Sequence, residues 1–223
     1  MHARFTLLAL GLLLPLAALA QAPTPAPAYY VGAGLYSSPF QNLGYHYGVT
    51  TVPVQVLAGY RWRPRWAVQL GAAYSGNSTD YDNRTEYLDY GSNTTYNLTD
   101  TGHATDRRLS LTLLVRRTLT RQPAHRVQFD ALGGFTYERV GYHAQGLYTS
   151  TYSQAPIYYP YDNRSQYDAL RAGLGLGMRV RVAAPLEVTL DYLLNTAITA
   201  PQSGSTLTSA AALGVRYSFR KPS

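Results

Sequence analysis

The chain has 223 residues, contains no cysteine and carries a formal net charge of +7, almost all of it from arginine because Lys221 is the only lysine. Without disulfides or a lipid-attachment cysteine, its stability has to come from one ordinary core or from a lipid-embedded surface. A mature length of about 200 residues indicates one domain. A basic chain can bind nucleic acid or anionic lipid. The secretory signal at residues 1–20 argues against nucleic acid.

Residues 1–20 have the features of a secretory signal peptide. His2 and Arg4 precede an apolar run that ends in a small-residue pattern at Ala20, so we predict export and cleavage near Ala20. No other stretch reaches the roughly 18 to 20 continuous apolar residues of a transmembrane helix. Residues 21–28 are rich in proline and are predicted to form an extended spacer.

From Tyr29 to Phe219, eight segments alternate apolar and polar residues, which is the signature of β-strands with two different faces. Val52, Val54 and Val56 share the apolar face of the second segment, for example. The connections between the segments, in chain order, are long at 37–50, short at 63–65, long at 76–106, short at 119–125, long at 139–167, short at 183–185 and long at 198–205.

The alternation of long and short connections predicts an up-and-down meander. In such a meander every second connection lies at the same rim, so all long loops share one side and all short turns share the other. Eight alternating strands with this arrangement are typical of an eight-stranded antiparallel transmembrane β-barrel with short periplasmic turns and long extracellular loops. A soluble barrel, whose apolar face points inward, is the competing interpretation.

Aromatic residues of the apolar face favour the membrane. One set lies at the short-turn ends of the strands and a second set lies near the long-loop ends, as expected for rings at the two membrane interfaces. The predicted aromatic girdle consists of Tyr60, Trp62, Trp66, Tyr74, Tyr137, Tyr192, Tyr217 and Phe219.

Charged residues in mid-strand point to the same conclusion, because they fall on the other face. A lipid-facing arginine near the bilayer midplane would cost about 2–4 kcal/mol. The charged residues of the inward face are Arg61, Arg108, Arg116, Asp130, Glu138, Arg171, Arg179, Arg181, Glu187, Asp191 and Arg216.

The ending Gly214-x-x-Tyr217-x-Phe219 resembles the C-terminal strand signal of outer-membrane barrels. Residues 220–223 are predicted to form a short tail. Residues 29–219 as a whole resemble the small eight-stranded bacterial outer-membrane β-barrel family, which includes the OmpA membrane domain, OmpX and OmpW. The resemblance implies a bacterial outer-membrane location, contact with membrane lipid and lipopolysaccharide, and recognition by the barrel-assembly machinery through Gly214, Tyr217 and Phe219.

The four acids and seven arginines of the inward face are predicted to pair with one another. An eight-stranded barrel is only wide enough for side chains to fill it, and buried charges must be paired. Gly173, Gly175 and Gly177 are expected to leave room for arginines of adjacent strands. A water-filled basic channel and catalysis by Glu187 and Asp191 are the alternatives.

No catalytic, cofactor or metal site is predicted. The four histidines of the mature chain do not pair at metal-ligand spacing, and the His and Ser motif of lipid-modifying barrels is not found. Asp80, Asp82 and Glu86 resemble a calcium loop only loosely.

The long connections are candidate surface-binding regions. The heptads YDNRTEY at 81–87 and YDNRSQY at 161–167 repeat each other, within the regions 76–106 and 139–167. These regions could extend the barrel wall as hairpins and present tyrosines to surface ligands, or their likeness could reflect shared loop composition. We therefore expect a non-enzymatic barrel with a structural and adhesive role, alternatively a narrow pore for small anionic solutes, and as a distant third a lipid-modifying enzyme.

Overall fold

The computed structural model describes residues 29–39, 41, 44–46, 49–89, 91, 94–122, 125–151, 156–199 and 207–219. The predicted signal peptide (1–20), the spacer (21–28), the tail (220–223) and parts of the predicted connections lie outside these residues. Within the described ranges no helix is long and apolar enough to cross a membrane.

The described residues include ten strands, and eight of them form a closed antiparallel barrel in the order β1-β10-β9-β8-β7-β6-β5-β4. The eight-stranded up-and-down barrel is therefore confirmed. The remaining two strands, β2 and β3, form a separate hairpin. The strands are β1 Tyr29–Ser37, β2 Gly44–His46, β3 Val49–Thr51, β4 Val54–Arg63, β5 Trp66–Asp89, β6 Thr94–Thr118, β7 Val127–Ser150, β8 Ile157–Arg181, β9 Leu186–Ala197 and β10 Leu207–Phe219.

The first strand closes the barrel. Tyr29 lies opposite Phe219 of β10 on one side and opposite Tyr60 of β4 on the other. Each barrel strand therefore has two neighbours that satisfy its backbone hydrogen bonds, which is the condition for crossing lipid with strands.

The regions 76–106 and 139–167, predicted to be long connections that could extend the barrel wall as hairpins, are mostly strand and do extend it. The β5–β6 pairing continues to Asp89 opposite Thr94, and the β7–β8 pairing continues to Ser150 opposite Ile157. Because β4 follows β5 only as far as Tyr74 and β9 pairs with β8 only from Arg171 onward, four strands continue past the rest of the barrel. We call this part, residues 75–89, 94–108, 139–150 and 157–170, the outer sheet.

The outside of the barrel carries an apolar band. Leu174 and Leu176 are 74% and 65% exposed to solvent, an arrangement that is unfavourable in water over so large a surface and favourable in lipid. Other exposed members of the band are Val56, Leu70, Leu111, Leu113, Phe129, Phe135, Leu190, Leu213 and Val215.

The inside of the barrel contains an apolar layer that the sequence analysis did not predict. Leu114, Leu132 and Leu193 are buried there together with Tyr36, Ala73 and Ala210. The layer separates two groups of charged side chains, so the interior is packed in layers and is not polar throughout.

Candidate functional site: the barrel lumen and the outer vestibule

The densest group of interior charges lies toward the rim formed by the short turns, and we call it the lower cluster. Asp130, with no solvent exposure, lies between two arginines and accepts hydrogen bonds from Arg116 Nη1 at 2.8 Å and from Arg179 Nη2 at 2.6 Å. Arg116 also donates through Nη2 to Asp191 at 2.5 Å. Two carboxylates and two guanidinium groups thus form one continuous chain of ion pairs.

Glu187 extends this chain. Arg216 Nε donates to Glu187 Oε2 at 2.6 Å, and Arg179 Nη1 lies 3.9 Å from the same oxygen. The guanidinium carbon of Arg216 stands 4.4 Å from the centre of the Tyr30 ring, a cation–π geometry that partly compensates the burial of the charge.

A separate ion pair, the upper pair, lies beyond the apolar layer. Arg171 Nε donates to Glu138 Oε2 at 2.8 Å, and Arg171 Nη1 donates to Thr208 Oγ1 at 3.2 Å. The predicted single network is therefore two groups, because the apolar layer intervenes.

Three of the predicted network residues lie elsewhere. Arg108 is partly exposed and binds the carboxylate of Asp106 above the upper pair, with Nε 2.9 Å from Oδ2. Arg61 points toward the lower cluster but makes no ion pair within 4.0 Å in the part of the chain that the structure describes. Arg181 is half-buried at the end of β8, beside the short turn, where its carbonyl accepts a hydrogen bond from Arg126.

The glycines of β8 make room for different neighbours. A Cβ atom on Gly177 would come within 2.6 Å of Asp191 Oδ1 and 2.9 Å of Arg116 Nη1. Gly177 therefore accommodates an arginine, as predicted, but this arginine lies on β6 and not on a strand adjacent to β8. At Gly173 the space is taken by the Asn195 amide, and at Gly175 by the carbonyl of Tyr192. Those two glycines allow close strand contact and do not receive arginines.

Gln41 lies inside the barrel above the apolar layer. Its side chain is buried, donates to the carbonyls of Ala73 and Arg108 at 3.2 and 2.8 Å, and accepts from Ser110 Oγ at 3.2 Å. A cavity beside the apolar layer measures about 10 Å³, hardly enough for one water molecule. Buried side chains therefore occupy most of the space around this layer in the part of the barrel that the structure describes.

A much larger cavity of about 1000 Å³ lies against the inner face of the outer sheet, and we call it the vestibule. At its centre Tyr81 donates to the hydroxyl oxygen of Tyr161, which in turn donates to Asp100 Oδ1 at 2.7 Å. Burial, followed by the hydrogen bond to Asp100, raises the pKa of Tyr161 above its usual range, so the hydroxyl stays protonated and remains the donor.

Two glycines explain how these tyrosines meet. Tyr81, Gly102, Gly146 and Tyr161 form one row across the four strands of the outer sheet. A Cβ on either glycine would approach the neighbouring tyrosine hydroxyl to 2.6 Å, so the bare backbone in the middle allows both rings to lie over it.

The two YDNR heptads therefore occupy equivalent places. β5 and β8 run in opposite directions on either side of the β6–β7 pair, so an approximate local two-fold axis between Gly102 and Gly146 relates residues 81–87 to residues 161–167. The repeat was visible in the sequence, but the contact between Tyr81 and Tyr161 was not.

The outer face of the outer sheet carries exposed polar pairs. His103 Nδ1 lies 2.7 Å from Asp80 Oδ1, and His143 Nε2 lies 2.8 Å from Asp162 Oδ1. Hydrogen bonds from Arg164, and then from His143, hold the pKa of the Asp162 carboxyl below its usual range. Throughout the ranges that the structure describes, no group of three or more His, Cys, Asp or Glu residues is arranged to hold a metal ion.

The residues of the predicted aromatic girdle lie on the outside of the barrel. Near the short turns, the Trp62 and Trp66 rings stack at 6.2 Å, and Tyr217 and Phe219 meet edge to face at 5.2 Å. Tyr29, which the sequence analysis did not include, joins this group through its 4.8 Å contact with Tyr60. Near the outer sheet, Tyr74 and Tyr192 are exposed, and Tyr137 donates to Asp168 at 2.8 Å.

Comparison with known proteins adds a family match. Residues 6–219 match the family model described as outer membrane protein beta-barrel domain. No curated protein sequence matches the chain.

Several solved structures are similar to the chain. Ail of Yersinia pestis, solved in complex with the heparin analogue sucrose octasulfate, is 11% identical, with 86% of this chain and 97% of that chain covered and a TM-score of 0.45. A major outer membrane protein from Thermus thermophilus is 15% identical, with coverages of 87% and 100% and a TM-score of 0.46. The outer membrane protease OmpT from Escherichia coli is 11% identical, with coverages of 89% and 99% and a TM-score of 0.42.

Proposed function

Because the chain belongs to the outer membrane protein beta-barrel domain family and lies in the bacterial outer membrane, we propose that it is a closed, non-enzymatic barrel whose outer sheet makes contacts at the cell surface. The observation that supports the first half of this proposal is the packing of buried side chains inside the barrel. The lower cluster, the apolar layer and the upper pair follow one another along the barrel axis, and Gln41 lies at the level of the upper pair, bonded to Ser110, which is opposite Glu138.

The outer sheet supports the second half of the proposal. It presents tyrosines on both edge strands, and tyrosine provides a large contact area at a low cost in conformational entropy. Tyr158 and Tyr159 of β8 are 59% and 54% exposed. Lipopolysaccharide remains a proposed partner, as does the barrel-assembly machinery, whose recognition through Gly214, Tyr217 and Phe219 is supported by the outward position of the two aromatic rings on the last strand.

We expect purified protein to form no steady channels in a planar bilayer. Ions would have to pass the paired charges around Asp130 and the packed layer around Leu114, beside which a cavity measures about 10 Å³. The control is the same bilayer with detergent alone. Large, stable conductance steps, particularly with anion selectivity from the excess of interior arginine, would support the alternative of a narrow pore.

Shortening the β5–β6 hairpin should reduce adhesion without unfolding the barrel. Ser78 and Thr105 are directly opposite each other, so residues 79–104 can be replaced by an Asn-Gly turn in register. The change removes no lipid-facing strand. We expect the protein to keep the different gel migration of unboiled and boiled samples, while cell adhesion and auto-aggregation fall.

A companion variant shortens the other hairpin between Tyr142 and Ser165, which are also paired, and so removes the exposed Tyr158 and Tyr159. Adhesion of both variants is measured with and without EDTA. If shortening the β5–β6 hairpin lowers adhesion only in the absence of EDTA, then divalent cations link the acids of this hairpin, such as Asp80, Asp82 and Glu86, to its partner. Unchanged adhesion in both variants and both conditions would contradict the adhesive role.

A further inference from the structure

The vestibule has the size and lining of a ligand-binding site. Its volume of about 1000 Å³ is at the upper end of the roughly 300–1,000 Å³ of pockets that enclose drug-sized ligands. It lies beyond the part of the barrel that β4 and β9 complete, on the side away from the short turns. A ligand there would meet the protein outside the membrane.

The lining contains little net charge. Among its ionisable groups, Asp106 is already bound by Arg108, and the Asp100 carboxylate accepts the hydroxyl of Tyr161. Asp80 and Asp82 border the cavity, but strand alternation directs their side chains to the opposite face, where Asp80 binds His103.

Polar groups that both donate and accept hydrogen bonds make up much of the rest. Asn77 and Asn163 supply amides, and Tyr142 and Tyr148 supply hydroxyls together with apolar ring faces. Among the lining residues that the structure describes, a polyanion would find one guanidinium group, already neutralised by Asp106. An organic cation would find the Asp100 carboxylate, already bound by Tyr161. A ligand with many hydroxyl groups and apolar C–H faces matches both the amides and the rings.

The centre of the site is held in place before any ligand arrives. The chain of hydrogen bonds from Tyr81 to Tyr161 to Asp100 is fixed over Gly102 and Gly146. Preorganised groups lose less entropy on binding, and so yield more affinity from the same contacts.

We propose that the vestibule binds an uncharged oligosaccharide, with the tyrosine rings stacking on the sugar and Asp100 and Asn163 hydrogen-bonding its hydroxyls. This inference rests on the proposed surface role and names the ligand class that the role would involve. The size of the cavity suits a di- or trisaccharide better than a single sugar.

The test is titration of the purified full-length protein with neutral trisaccharides of glucose and of N-acetylglucosamine, in a detergent without a sugar head group, followed by calorimetry. We expect saturable binding to at least one of them. Tyr148→Ala should weaken it about tenfold, the scale of one aromatic contact, and Asp100→Asn should weaken it while preserving the acceptor for Tyr161.

Tyr158→Ala and Asp162→Asn are the controls. Tyr158 and Asp162 are absent from the cavity lining, and strand alternation places them on the outer face. Both variants should bind the sugar like the unmodified protein.

Saturable binding of a sulfated oligosaccharide or of an arginine-rich peptide in place of the neutral sugars would overturn the proposal, as would equal binding by Tyr148→Ala. Adhesion that falls on hairpin shortening without any sugar binding would reject the ligand class and leave the surface role intact. Sugar binding by the unmodified protein, together with adhesion that hairpin shortening leaves unchanged, would reject the surface role and leave the ligand class intact.

Discussion

Replacing Asp130 with asparagine is expected to lower the free energy of unfolding by about 3–5 kcal/mol, the usual cost of removing one partner from a buried ion pair. Asp130 is fully buried and holds both Arg116 and Arg179. Asparagine keeps the shape of the side chain but not its charge, so two buried guanidinium groups lose a shared counterion. The measurement is denaturant-induced unfolding in detergent micelles, with the midpoint and slope determined separately.

The control for this change is Asp162→Asn, which removes the same charge from an exposed position on the outer sheet. We expect its unfolding midpoint to match that of the unmodified protein. If Asp130→Asn also unfolds at the unchanged midpoint, then water or ions must reach Arg116 and Arg179, and the lumen is not closed.

Replacing Gly177 with valine should prevent folding altogether. The added side chain would occupy the position of Asp191 Oδ1 and Arg116 Nη1, so overpacking of about 1–3 kcal/mol is added to the breaking of a buried pair. The expected result is one gel band at the unfolded position, whether or not the sample is boiled.

The matched control is Gly141→Ala on β7, where the nearest atom to an added Cβ is the Arg107 carbonyl oxygen at 4.0 Å. This variant should fold and migrate like the unmodified protein. A folded band for Gly177→Val would mean that Arg116 and Asp191 have another low-energy arrangement, and that the lower cluster is less tightly determined than its geometry indicates.

Sequence reasoning succeeded where a strand has lipid on one side and packed side chains on the other. The alternation around Leu174 and Leu176 predicted the strand, its location in the membrane and the face that is directed to lipid. It did so because lipid selects apolar residues at every second position. In residues 76–106 both faces meet water, so no such selection acts there, and a paired strand resembles a polar loop. Thr and Tyr in this stretch favour strand, but weakly.

The partners inside the lumen were harder to predict than its composition. Arg179 and Asp130 are 49 residues apart, and their contact depends on the stagger between β7 and β8, which alternation does not define. Leu114 and Leu132 were missed for another reason. A packed interior accepts apolar side chains as readily as paired charges, so their inward position leaves no distinct pattern in the sequence.

The Tyr81–Tyr161 contact shows what a repeat can and cannot reveal. Both heptads were apparent as similar stretches, and their similarity suggested a shared task. Their meeting requires that two strands separate β5 from β8 and that Gly102 and Gly146 fall in the same row. Neither condition can be read from the heptads themselves.

Within the described residues, the outer sheet extends from one side of the barrel. Residues 75–89 of β5 extend past the last residue paired with β4, which at about 3.3 Å per residue is a reach of roughly 50 Å along the strand. A barrel alone is nearly symmetric around the membrane normal, whereas the outer sheet makes this protein different on its two sides. A partner held at the sheet would therefore set the rotational orientation of the protein in the membrane, and a row of such proteins facing one surface would be aligned by what they bind.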